Sequence, residues 1–127
     1  MTENLLFWIY IVNATILINH EIDSAYWQEW KLLNPKDEKG INGFLIIHFP
    51  MILTVLYGLV LVNKGHLAGL IISFFVGASG IFAFFFHFYH LRKGKQEFNT
   101  LISKAIIIST FLISMFQIGL TLKLMIE

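Results

Sequence analysis

The chain has 127 residues, 57% hydrophobic and 13% charged, where soluble domains run at about 45–50% apolar and 25% charged. Its formal net charge of +1 provides no broad basic surface to neutralise a phosphate backbone, which argues against nucleic acid as a partner. Cysteine is absent, so disulfides and thiolate ligands are excluded, and any metal must be held by imidazole, carboxylate, hydroxyl or backbone oxygen.

The apolar residues arrive in long runs, which points to lipid as the solvent and to one transmembrane domain over residues 1–127. Met1-Thr2-Glu3-Asn4 leads straight into apolar sequence without the basic start of a signal peptide, so the first segment is expected to stay in the protein. A spanning helix needs about 20 mainly apolar residues, and four stretches qualify: residues 5–27, 41–62, 67–90 and 101–125. Helices are required because a backbone in lipid must satisfy its own N–H and C=O groups. The punctuation Asn34-Pro35 to Gly40, Asn63-Lys64-Gly65 and Arg92-Lys93-Gly94-Lys95 marks short connections. The expected fold is therefore an all-α, up-down-up-down four-helix bundle.

Lys31, Lys36, Lys39, Arg92, Lys93, Lys95 and Lys104 collect on one side of these spans, and only Lys64 and Lys123 on the other. Cytoplasmic loops carry the excess of Lys and Arg, so both termini are expected to be extracytoplasmic. Tyr26, Trp27, Trp30 and Tyr89 fit an aromatic belt at the cytoplasmic interface.

At 1.5 Å per residue, His20, His48, His87 and His90 all fall roughly 5–15 Å inside that face, with only His66 on the opposite side. In the first span, His20, Asp23, Ser24 and Trp27 share a stripe with Asn13, and Glu21 flanks it. In the third, His87 and His90 lie below a small-residue stripe of Ser73, Gly77 and Gly80, which allows close helix approach. Pro50, two residues after His48, frees the carbonyl of Ile46, so a kink and a spare acceptor are expected there. Ser103, Thr110, Ser114, Gln117 and Thr121 give the fourth span a hydrogen-bonding face.

Each residue also has a plainer reading. His48 alone is a packing imidazole donating to a carbonyl, and His90 an interfacial one. Glu21 and Asp23 can be solvated acids paired with Lys31, Arg92 or Lys93. Asn13 and Gln117 are best read as an interhelical hydrogen bond, and the run Phe82, Phe84, Phe85, Phe86 and Phe88 as lipid-facing and packing residues. Convergence favours chemistry, because leucine would fill such a layer without the cost of burying polar groups.

With His20-Glu21-Ile22-Asp23-Ser24-Ala25-Tyr26-Trp27, His48-Phe49-Pro50 and the His87/His90 pair, the whole chain resembles a family of small, uncharacterised multi-pass bacterial membrane proteins, which implies residence in the bacterial inner membrane. It is also similar to the membrane domains named for a histidine followed by paired glutamates, with Asp23-Ser24 in place of the acidic pair. A looser likeness, in residue types alone, is to membrane metallohydrolases that join three histidines to an aspartate and a serine.

The expected function is a membrane metalloprotein and metal-dependent enzyme, a hydrolase or a non-haem iron oxidoreductase. His20, His48, His87, His90 and Asp23 are the candidate ligands for zinc or iron. Glu21, Asp23 and Ser24 are the candidate catalytic groups, a carboxylate acting as general base or orienting a ligand histidine. Membrane lipids, a lipid-like substrate and a possible homo-oligomer are the expected partners. A proton or ion pathway over the same layer is the alternative, and haem held by two histidines such as His48 and His87 is a third reading.

Overall fold

The computed structural model describes all of residues 1–127 and is entirely helical: α1 (Thr2–Tyr26), α2 (Trp30–Leu33), α3 (Gly40–Asn63), α4 (Leu67–Arg92) and α5 (Leu101–Ile126). The four long helices are long and apolar enough to cross a membrane. They begin and end within three residues of the expected spans, because each apolar run is stopped by residues that leave the helix at little cost. The short helix α2 was not expected from the sequence. It forms in the connection after α1, before the Asn34-Pro35 break.

The packing is inverted relative to a soluble protein. The fully buried residues include Asn13, Ser73, Thr110, Ser114, Gln117 and Thr121, whereas Ile46 (73%), Phe49 (74%) and Phe82 (67%) stand exposed. Water-soluble monomers rarely expose apolar patches beyond a few hundred Å², so a face like this needs hydrocarbon around it.

Two layers hold the bundle above the site. Near the amino end of α1, Leu6, Tyr10, Ala14 and Leu17 pack with Val62 and Val76, and the Tyr10 hydroxyl donates to the carbonyl of Val55 at 2.7 Å. Next comes a polar belt. Asn13 Nδ2 donates to Gln117 Oε1 at 2.8 Å and Ser114 Oγ at 3.0 Å, Gln117 Nε2 donates to the Ser73 carbonyl at 2.9 Å, and Ser73 pairs with Thr121 at 2.8 Å. The Asn13–Gln117 bond is the one their spacing implied.

Helix α4 lies against α5 through glycines. A Cβ added to Gly80 would run into Ser114 Oγ and come within 2.8 Å of Thr110 Cγ2, and one on Gly77 would come within 2.7 Å of Ile118. Small residues thus bring the backbones together. His87 lies two turns beyond Gly80 on the same face, so this contact sets its position.

Candidate metal centre

Three helices end in the same turn geometry. After α3 and α4, Gly65 (φ 66°) and Gly94 (φ 78°) take the left-handed conformation, and the paired bonds Gly65 N to Val62 O with His66 N to Leu61 O, and Gly94 N to Leu91 O with Lys95 N to His90 O, close the motif. After α1 the same bonds recur, Gln28 N to Ala25 O and Glu29 N to Ser24 O, but the left-handed residue is Gln28, at φ 55°. A side chain there costs about 1–2 kcal/mol relative to glycine. The turn carries the next residue, Glu29, back beneath the helix it has just left.

Glu29 meets two histidines there. His20 (α1) and His87 (α4) are 3% and 1% exposed, and their Nε2 atoms face each other at 3.1 Å. Glu29 Oε2 lies 3.8 Å from His87 Nε2, and the donor atoms of His20, Glu29 and His87 all lie within 4.8 Å of one another. The Ser24 hydroxyl, buried one turn beyond His20, is 3.5 Å from His20 Nε2. Burial holds the Glu29 carboxyl above the ordinary carboxylate range, against a hydrogen bond from Ser24 that lowers it.

A lid closes the group. Phe98, 1% exposed, sets its ring 4.0 Å from that of His87, 6.0 Å from His20 and 6.4 Å from Trp27. Phe98 is also left-handed, at φ 65°. Gln28 and Phe98 are the two non-glycine residues of positive φ in the chain. One delivers the carboxylate and the other covers the imidazoles, and retained backbone strain of this kind collects at functional sites.

In the pair as found, one imidazole donates Nε2–H to the other, and the Nδ1 atoms of both His20 and His87 are buried with no partner, which a cation on the Nε2 atoms would leave unchanged. A cation between the rings would use both Nε2 lone pairs at once. A metal bonded at about 2.0–2.1 Å to two nitrogens 3.1 Å apart subtends an angle of about 100°, between the tetrahedral and octahedral values. His20, Glu29 and His87 could therefore hold a metal ion.

The other residues singled out in the sequence lie around this group. His48 (α3) has its Nε2 2.7 Å from Glu21 Oε2 and its Nδ1 2.7 Å from the Phe44 carbonyl. Its ring is stacked on Phe44 at 3.6 Å. Both nitrogens face acceptors, so the His48–Glu21 pair is complete in itself. The carbonyl engaged is that of Phe44 rather than of Ile46, and α3 runs through Pro50 as one helix. His90 packs against Phe86 at 4.6 Å, and its Nδ1, like Asp23 Oδ2, is buried without a partner. Neither His90 nor Asp23 joins the three-residue group. Glu29 was missed in the sequence because it follows the end of α1. The available signal was an acid between Trp27 and Trp30, in a segment otherwise suited to a membrane interface.

No curated protein and no solved structure matches the chain. A family model does, over residues 6–124, which takes in every residue of the centre and its lid. The chain belongs to the family of unknown function DUF6713.

Proposed function

We propose that the protein is an integral membrane metalloenzyme whose centre is His20, His87 and Glu29, acting on a lipid-like or membrane-soluble substrate. The observation that carries this reading is the pair of buried imidazoles facing each other at 3.1 Å with a carboxylate beside them. Two histidines and one carboxylate form the donor set of catalytic zinc and of non-haem iron, and both leave positions open for water or substrate. Zinc would lower the pKa of bound water toward about 7, and Ser24, 3.5 Å from His20 Nε2, is placed to hydrogen-bond a ligand there. The lysine and arginine asymmetry supports an up-down-up-down course with both termini outside and the centre at the cytoplasmic face. A haem between the two imidazoles is disfavoured, since axial nitrogens at about 2.0 Å on opposite sides of an iron stand about 4 Å apart, wider than the 3.1 Å found.

Elemental analysis of freshly purified protein tests the reading. One zinc or iron per chain, lost in His20→Ala and His87→Ala, is the expected result, and wild-type protein without stoichiometric metal overturns it. The belt from Asn13 through Gln117 and Ser73 to Thr121 is the observation favouring a proton pathway instead. Amide donors interrupt such a relay, and proton flux in liposomes decides between the two readings.

A further inference from the structure

The end of α4, residues 93–100 and the start of α5 line an open cavity of about 390 Å³. Arg92, Lys95 and Lys104 line it, with the amides of Gln96 and Asn99. No carboxylate does, and none of the three cations has an ion-pair partner. Arg92 rests only over the Phe88 ring, 5.9 Å from its centre. The remainder of the lining is Phe84, Phe88, Leu91, Ile107 and Ile108.

These two sets are ordered by depth. At 1.5 Å per residue, Phe84 lies about 12 Å further into the span than Arg92, and Ile108 about 6 Å further than Lys104. Positive charge is gathered at the water end and hydrocarbon at the bilayer end, and the positive end of the α5 dipole adds to the former. An inorganic anion would leave the apolar half unfilled, and a neutral lipid would leave three cations uncompensated. A basic pocket between transmembrane helices at a headgroup level fits an anionic lipid.

We propose that this cavity binds one anionic membrane phospholipid, with its phosphodiester among Arg92, Lys95 and Lys104 and an acyl chain along Phe84, Phe88 and Ile108. The site shares the 93–100 loop with the Phe98 lid but uses none of the residues of the metal centre, so it stands or falls separately.

The test is native mass spectrometry of the full chain equilibrated with equal amounts of phosphatidylglycerol and phosphatidylcholine. Wild type is expected to retain a single phosphatidylglycerol in preference. The triple variant Arg92→Gln, Lys95→Gln, Lys104→Gln should lose that preference by on the order of 100-fold, each cation near a membrane surface contributing about fivefold. The charge-matched triple Lys31→Gln, Lys36→Gln, Lys39→Gln, on the other loop at the same end, should keep it. Ile108→Trp should weaken retention with every charge in place, which guards against a charge variant that fails to fold. Equal losses in the two triples, equal retention of both lipids, or displacement of the phospholipid by inorganic phosphate would each overturn the proposal.

Discussion

Replacing Glu29 by Gln should change stability in opposite directions with and without metal. In the metal-free protein, burial raises the Glu29 pKa, so the folded state binds this proton more tightly than the unfolded chain does. Stability then falls as pH rises from the ordinary carboxylate range through the raised folded value, and stays lowered above it. Glutamine has no charge to desolvate, so Glu29→Gln should exceed wild type in stability at neutral pH under chelation, and this advantage should disappear in acid. With metal the sign reverses. At free metal of 100 times Kd, binding stabilises wild type by about 2.7 kcal/mol. Losing a ligand should weaken binding by at least about 100-fold, the upper end of the effect of losing an outer partner. That raises Kd to the metal concentration and leaves about 0.4 kcal/mol of stabilisation. Trp27 and Trp30 flank Glu29, so unfolding in mild detergent can be followed by tryptophan fluorescence with chelator or with added zinc. If the variant keeps the full metal increment, or is less stable than wild type under chelation, the placement of Glu29 in the centre is wrong.

Other substitutions test how the centre is built. Gln28→Gly should raise stability by about 1 kcal/mol, because glycine takes the left-handed turn without strain, while metal content stays unchanged; thermal melts and elemental analysis on the same samples check both. Phe98→Ala should cost about 3 kcal/mol for the emptied lid, and Phe98→Gly about 1 kcal/mol less than alanine, since φ is positive there; the reverse order in detergent melts would remove the argument for strain. Glu21→Gln should leave metal stoichiometry intact, as that carboxylate is engaged by His48 at 2.7 Å, and loss of metal would place the His48–Glu21 pair in the centre after all. Gly69→Ala should destabilise by about 1–3 kcal/mol, since its Cβ would sit 2.5 Å from the backbone of Leu61 and Val62, whereas Gly119→Ala, which meets nothing, should gain about 0.5–1 kcal/mol.

The amino-acid sequence determined the long helices and which stripes face inward. Apolar runs in lipid have one way to satisfy their backbone, so the four spans could be read within a few residues. Placing Asn13, His20 and Ser24 on one face needed only the helical period, and all three are buried. The depth of each histidine was readable for the same reason, because rise per residue is constant along a helix.

Rise sets depth but not direction around the bundle. That was decided by packing, where glycines 77 and 80 on Ser114, Thr110 and Ile118 turn His87 toward His20. His48 on α3, at a similar depth, is left to pair with Glu21. Local sequence offered only an acid between two tryptophans for Glu29 and did not place it or Phe98 at the centre, because each depends on a non-glycine residue held left-handed, at Gln28 and at Phe98 itself. A chain takes that conformation only when tertiary contacts compensate for its strain. The sequence alone thus determined the helices and their polar faces, and only the assembled bundle decided which imidazoles meet and which carboxylate joins them.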